Sequence, residues 1–392
     1  MPRWRRWRES AGAVVTACDD CLRRTALIAA IAGRLALEFK TRGAPARVLA
    51  LSDEALLAIG ASDDVRRRYA GFDPGAARAA AAAAGLKTTC RCRAGYPPQV
   101  RELADPPAVL HVLGDRGVLR AAEAVAVVGA RRASSYGLEV SRALGRGLSA
   151  ARVPVVSGLA LGIDSAAHAG ALDAPGVTIG VLAGGADVPY PARGRRLHAA
   201  VAARGAVVSE LPPGTRAHRW CFIARNRIIA ALSAVTVVVQ ATERSGSLTT
   251  ADFAAELGRA VAAVPGPVTS RLSAGTHALL HAGAPIVRGT EDVLDLLADV
   301  TGRTFTVAAS GTGWAAPAWR PSPGGDPPGA GSARTLRPEL AALLAAVEDG
   351  RGTLAQLAET PAQARAALAG LGELELRGLI RRTLGGRWER AA

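Results

Sequence analysis

Residues Ala124–Ser134 read AVAVVGARRAS, and residues Val155–His168 read VVSGLALGIDSAAH. Each opens as a short apolar run, breaks at a glycine, and passes into a stretch with helical spacing. The rhythm continues outward from these two segments. Candidate strands are Val125–Val128, Val153–Val156, Thr178–Leu182, Ala206–Val208, Val235–Val239, Val261–Val264 and Ile286–Val287. Between them lie candidate helices Tyr136–Ser149, Asp164–Ala171, Arg225–Leu232, Leu248–Leu257 and His277–His281. Strand, helix, strand demands crossover connections, which predicts an α/β fold with a mainly parallel sheet covered on both faces. Several strands end in Gly or Ser: Gly129, Ser157-Gly158, Gly184-Gly185 and Ser209. Ligands of such sheets bind beyond the carboxyl ends of the strands, and small residues there admit them close to the backbone.

The flanks read differently. Residues 1–95 are expected to form a small helical domain, with Ala26–Phe39 at helical spacing and a capped helix start at Ser52-Asp53-Glu54. The Leu56–Gly60 ending is compatible with a plain glycine-capped helix and with a module of sterile-alpha-motif or helix-hairpin-helix type. The sheet domain is assigned to residues 96–300. Residues 301–334, rich in Gly, Pro, Ser and Ala, read as a flexible linker. In residues 335–392, Pro338–Val347, Leu354–Glu359 and Gln363–Arg377 read as helices. Leu379–Arg382 and Arg387–Glu389, around Gly385-Gly386, complete the pattern of a winged helix.

The formal net charge is +15, and Lys40 and Lys87 are the only lysines. A genome rich in G and C favours arginine over lysine; a polyanionic partner also selects for positive charge. Composition does not separate the two. No apolar run reaches the roughly 18 residues needed to span a bilayer. The basic opening Met1–Arg8 is followed by Glu9-Ser10 and a stretch too short and polar for a secretory signal, so a cytoplasmic protein without membrane contact is expected. The cysteines are then thiols or metal ligands. Cys18-x-x-Cys21 and Cys90-x-Cys92 are either free thiols or the four ligands of a structural zinc, although the second pair has fewer intervening residues than usual. Cys221 stands alone and is expected to pack.

Four segments carry candidate chemistry. Arg131 and Arg132 follow the first strand at a helix N-terminus, a setting for phosphate, while the G-x-G-x-x-G dinucleotide fingerprint is absent. Asp164 and His168 stand one helical turn apart and read as a capping Asp and a helix-surface His, not as an acid–base pair. Ser209–Ser233 carries Arg216, His218, Arg219 and Trp220 in an expected loop, then Phe222 and Arg225-Asn226-Arg227 at a helix start; arginine interleaved with aromatics holds phosphates and stacks bases. Glu243–Ala251, with Ser245-Gly246-Ser247 before a helix, reads as an anion nest without the lysine of a P-loop. No catalytic constellation appears.

These segments, in this order, resemble the DprA/Smf family of bacterial DNA-processing proteins. The likeness runs from about Tyr96 to Leu297 and includes YPPQVRELADPPAVLHVLGD, GARRAS, VVSGLALGIDSAAH, IGVLAGGADVPYP, SELPPGT, ARNRIIAALS, ERSGSLTTA and VPGPVTSRLSAGTHALLHAGA. The resemblance implies a Rossmann-like domain, often with a helical domain before it and a winged helix after it. It implies a protein that is not an enzyme, that binds and protects single-stranded DNA, loads the RecA recombinase during transformation or recombination, and acts as a homodimer. On that basis Arg131, Arg225 and Arg227 are expected on phosphates, with Arg193, Arg195, Arg216 and Arg219 as a basic rim. Ser157, Gly158, Asn226, Ser245 and Gly246 would shape the pocket, and Phe222 would stack a base. The chain has Gly129-Ala130-Arg131 where the family usually has Gly-Ser-Arg, and Phe222-Ile223 where it usually has Phe-Pro. Two rival readings are a nucleotide hydrolase and a transcription regulator. The first lacks its glutamate near Ala183–Asp187. In the second, the recognition helix would offset Arg365 and Arg377 with Glu373 and Glu375.

Overall fold

Strand Val125–Val128 buries every residue, and its side chains alternate between two cores. Val125 and Val127 pack with Leu144, Leu148, Ile163 and Val293 on one face, while Ala126 and Val128 pack with Ile228, Ile229 and Ala251 on the other. A strand with no polar side requires helices above and below it, and that is the arrangement found. The structure is a computed structural model that describes residues 16–35, 48–305, 337–349, 353–358, 360–382 and 388–390. The basic opening at 1–8, the end of the expected helix at 36–39, linker residues 306–334 and the Gly385-Gly386 turn lie outside these.

The chain divides into two compact units, residues 1–318 and 319–392. In the first, α1 (Asp19–Ala30), α2 (Asp53–Gly60), α3 (Asp63–Ala70) and α4 (Pro74–Ala83) precede β1 (Lys87–Cys90), β2 (Val109–Gly114) and β3 (Val125–Val128). Then follow α5 (Ser135–Ala150), β4 (Val155–Ser157), α6 (Ile163–Leu172), β5 (Thr178–Val181), α7 (Arg195–Arg204), β6 (Ala206–Ser209) and α8 (Arg219–Ala231). The unit closes with β7 (Val235–Val238), α9 (Leu248–Glu256), β8 (Ala260–Ala263), α10 (Ala274–His281) and α11 (Thr290–Thr301). Eight strands form one sheet in the order β1-β2-β6-β5-β4-β3-β7-β8. From β6 to β8 all neighbours are parallel, whereas β2 pairs antiparallel with both β6 and β1. The chain winds outward from β3 to β6, then returns to the other side of β3 as β7 and β8. The order reverses beside β3, and the crevice beyond the carboxyl ends there is the natural ligand position.

Several expectations change. Strand β1 lies inside residues 1–95, so the expected domain boundary at 95/96 runs through the sheet. Its sequence, Lys-Thr-Thr-Cys, has little apolar content because it is an edge strand held by pairing with β2. The N-terminal helices are not separate either: Leu27, Ile31, Leu35 and Leu56 share a core with Leu211, Trp220 and Cys221, and Trp220 donates Nε1–H to the Ala32 carbonyl at 2.7 Å. Ile286 makes one bridge to Ala263 instead of a strand. Helix α8 begins at Arg219, six residues before its expected start, which puts Arg219, Trp220 and Phe222 on its first turn. The second unit contains α12 (Pro338–Glu348), α13 (Leu354–Leu357), α14 (Pro361–Leu376) and an antiparallel pair, β9 (Ile380–Arg382) and β10 (Trp388–Arg390). Leu340, Leu344, Leu371, Leu374, Ile380 and Trp388 form its core. Among the described residues no helix is long and apolar enough to cross a membrane.

Helices α5 and α6 approach until backbone meets backbone. A Cβ at Gly145 would lie 2.2 Å from the Ala167 carbonyl oxygen, and one at Gly170 would lie 2.0 Å from that of Arg142. Ser141 and Ser149 fill the seam by donating to the carbonyls of Ile163 and Ala171, each at 2.7 Å. Gly145→Ala gains about 1 kcal/mol of helix propensity, but overpacking of about 1–3 kcal/mol works against it. A lowered urea midpoint is the expected result, because the carbonyl it meets is backbone and cannot rotate away.

Candidate nucleic-acid interface

At the carboxyl end of β4, Ser157 donates its hydroxyl to the Val127 carbonyl at 2.7 Å and so ties β4 to β3. The chain then turns through Gly158–Gly162. Asp164 Oδ2 accepts from the amides of Gly158 at 3.1 Å and Ala160 at 3.4 Å, closing this loop. Gly162 has φ 77° and precedes α6; a Cβ there would lie 2.2 Å from the Ala130 oxygen, so the position requires glycine. From α8, Arg225 reaches over the turn and donates Nη1–H to the Gly158 carbonyl at 2.7 Å and to that of Val181. A Cβ at Gly158 would stand 2.0 Å from Nη1. Arg225 is 5% exposed and its Nε has no partner. Burial lowers its pKa to about 10, against the pull of Asp164, and it remains a cation at neutral pH.

Above this cation lies a pocket lined among others by Arg131, Gly158, Leu161, Tyr190, Phe222 and Arg225. Phe222 is half-buried. The Arg131 guanidinium carbon sits 4.8 Å from the centroid of its ring, and the Tyr190 ring sits 5.2 Å away at 51°. Arg131 and Arg132 leave β3; Arg193, Arg195 and Arg196 follow β5; Arg216 and Arg219 follow β6; Arg244 follows β7. All eight are exposed, and none forms an ion pair among the described residues. They line one edge of the sheet, beyond the carboxyl ends of its parallel strands.

The structure redistributes the expected roles. Arg227 does not face the pocket: it is 1% exposed, with Nε donating to Asp105 Oδ2 at 2.9 Å and Nη1 and Nη2 forking onto Glu210 at 2.8 and 2.7 Å. Burial opposes its charge, but Glu210 and Asp105 prevail and hold its pKa above the ordinary range. Asp105 is 122 residues away in sequence, so the pairing leaves no local signal. Arg225 is a buried cation beneath the pocket, with one terminal nitrogen committed to backbone. The Ser157 hydroxyl is likewise engaged. Asn226 donates Nδ2–H to the Gly246 carbonyl at 2.9 Å and to Thr249 Oγ1 at 2.8 Å, so it positions the Ser245-Gly246 turn. That turn is less open than an anion nest: the Ser245 amide donates to Thr242 at 3.0 Å, and the Ser247 amide to Ser245 Oγ at 3.4 Å. Arg131 and Phe222 meet at the pocket wall, and Arg193, Arg195, Arg216 and Arg219 are exposed on the segments that follow β5 and β6. Tyr190 and Leu161 are additions; the Pro-Tyr-Pro run after Gly184-Gly185 was the available signal for Tyr190.

Asp164 and His168 are not an acid–base pair, but neither are they a cap and a surface residue. The helix starts after Gly162, so Asp164 braces the preceding loop. His168 is completely buried; Nδ1 lies 2.7 Å from Thr178 Oγ1, which itself donates to the Val155 carbonyl at 2.9 Å. The threonine proton is thereby committed and Nδ1 must carry its own, while burial disfavours a second proton on Nε2, so the imidazole is neutral.

The family model described as DNA recombination-mediator protein A matches residues 87–298. The chain is 47% identical over 203 residues to a DNA processing protein DprA of Mycobacterium tuberculosis, covering 52% of each; it therefore spans about half the length of that relative. Its fold is similar to the X-ray structure of DNA processing protein A from Streptococcus pneumoniae, at 32% identity and TM-score 0.57 over 70% of this chain and 95% of that one. It is also similar, at 28% identity and TM-score 0.50 over 55% and 98%, to a Helicobacter pylori DNA processing protein A whose structure concerns that protein's single-stranded DNA binding mode.

Two outcomes follow from the buried groups. Arg227→Ala strands Asp105 and Glu210 and is expected to lose about 3–5 kcal/mol of stability, whereas exposed Arg131→Ala stays within about 0.5 kcal/mol; chemical denaturation compares them. For His168, burial lowers the pKa from 6.5 to about 3. The unfolded chain then takes up a proton that the folded chain refuses. Stability is in full above pH 6.5 and is lost toward pH 3, by about 1.4 kcal/mol per unit. His168→Gln should flatten the decline in denaturation midpoint between pH 6.5 and 4.

Proposed function

The chain belongs to the DNA recombination-mediator protein A family, and from that premise we propose that its first unit binds single-stranded DNA along the carboxyl edge of the parallel sheet. The observation that carries this is the pocket walled by Arg131, Phe222 and Tyr190, together with seven further exposed arginines after the parallel strands that form no ion pair among the described residues. Arginines without carboxylate partners hold phosphates and release counterions. Phe222, flanked by Arg131 and Tyr190, offers a stacking surface to an unpaired base, which a duplex keeps inside its own stack. Few groups on this edge suit base-edge readout, so sequence preference is weak. No chemical step is included: Asp164, His168 and Ser157 are each engaged in holding loops and strands. The proposal extends to the family role, in which the bound strand is protected and passed to the RecA recombinase by a homodimer in the cytoplasm.

Binding titrations across salt separate the two components. Arg131→Ala is expected to reduce the slope of log affinity against log salt by about 0.7, one single-strand phosphate contact. Phe222→Ala is expected to lose about 1–3 kcal/mol of binding with the slope unchanged. Wild type should speed RecA filament assembly on single strands, and Arg131→Ala should do so less. Tighter binding to a duplex than to a single strand of equal length would sink the proposal.

A further inference from the structure

The two cysteine pairs, 69 residues apart from Cys21 to Cys90 in the chain, meet in the fold. The four Sγ atoms lie within 4.8 Å of one another, with Cys21 and Cys92 at 3.6 Å and Cys18 and Cys90 at 3.7 Å. We propose that Cys18, Cys21, Cys90 and Cys92 bind one zinc ion as a tetrathiolate site. Zinc–sulfur bonds of about 2.3 Å in a tetrahedron place sulfurs about 3.8 Å apart, close to the spacing present. A disulfide requires about 2.0 Å and joins only two of the four.

The local structure prepares the ligands. Cys18 immediately precedes α1 and Cys21 lies in its first turn, so one helix end presents two of the four sulfurs. Cys90 ends β1, and Cys92 sits in a turn closed by the Arg93 amide on the Cys90 carbonyl at 2.9 Å. This turn brings the second sulfur back toward α1, so one intervening residue is enough. The Cys18 amide points at Cys90 Sγ from 3.4 Å, a contact that supports negative charge on sulfur. The surface beside Cys21 and Cys92 is lined by Arg23, Arg24 and Arg91 together with Asp20, Asp53 and Glu54. The apolar contact at this seam is small, made by Ala17, Leu22, Ala108 and Val109 around the cysteines. The ion would fasten the first helix to the edge strand β1 and restrain that edge from pairing elsewhere. The site is independent of the DNA-binding proposal.

The test uses the full chain, expressed with zinc supplied and purified without chelator. Elemental analysis should find about one zinc per chain, and cobalt exchanged into the site should show tetrathiolate ligand-field bands. Cys92 is exposed, so Cys92→Ser should fold and lose zinc to a competing chelator at least about tenfold more readily; Cys221→Ser should match wild type. Less than about a tenth of a zinc per chain, disulfides joining these cysteines by mass spectrometry, iron in place of zinc, or undiminished retention in Cys92→Ser would each overturn the assignment.

Discussion

One guanidinium laid across the ends of two parallel strands organises the working edge of this molecule. Arg225 is carried by the helix that connects β6 to β7, yet it hydrogen-bonds to the turn after β4 and the end of β5. Residue 158 must be glycine because the guanidinium occupies the space of any side chain. The same turn must be braced, and Asp164 does this through two amides while drawing the pKa of Arg225 upward against its burial. Glycine, aspartate and arginine are therefore one device contributed by three segments. Its product is a cation on the floor of a partly enclosed pocket. In low-dielectric surroundings such a cation raises the potential at the mouth more than an exposed arginine does.

The second constraint is the disposal of negative charge. Asp187 accepts from the Gly214 amide, Glu210 is forked onto Arg227, and Asp164 is buried. Asp187 and Glu210 come from segments that also carry exposed arginines, whereas Glu243, beside Arg244, stays exposed. Elsewhere some arginines pair, such as Arg142 with Asp173, Arg259 with Glu102 and Arg288 with Asp292, while exposed Arg93, Arg120, Arg152, Arg204 and Arg271 form no ion pair among the described residues. Genomic bias toward arginine would scatter both kinds over the surface. Paired and unpaired arginines both occur away from this edge, and what composition could not reveal is that eight exposed arginines follow the parallel strands β3, β5, β6 and β7.

The parallel sheet was legible because each central strand is apolar on both sides, and strand limits such as Val125–Val128 are read off directly. Strand β1 was not, since Lys-Thr-Thr-Cys is stabilised by its partner and not by its own pattern. The arginines show the same division. Exposed ones such as Arg131 announce themselves by position after a strand, while Arg225 and Arg227, equally basic in sequence, are buried by carbonyls and carboxylates far along the chain. His168 hides for a related reason: its partner Thr178 lies on the next strand, ten residues along the chain. For the cysteines the short spacing of the second pair argued against a common site, and only the turn at Cys90–Arg93 removes the objection.

The two departures from the usual family pattern can be weighed against this geometry. Ala130 is buried; its amide donates to the Gln240 carbonyl at 2.7 Å and its own carbonyl accepts from Ile163 at 3.2 Å. The connection from β3 to its neighbours is thus made by backbone, and exchanging a hydroxyl for a hydrogen at this Cβ leaves both bonds in place. Residue 223 is different in kind. Ile223 is the fifth residue of α8, where an amide hydrogen begins to serve the helix, and a proline there would remove that donor and crowd the preceding turn. Isoleucine lets α8 run unbroken from Arg219, which carries Arg219 and Phe222 on one rigid element with Arg225. The pocket wall and the buried cation beneath it then share a single helix. Rigidity that a proline would supply locally is supplied here by helical hydrogen bonds, with 42% of Ile223 left exposed beside the aromatic surface.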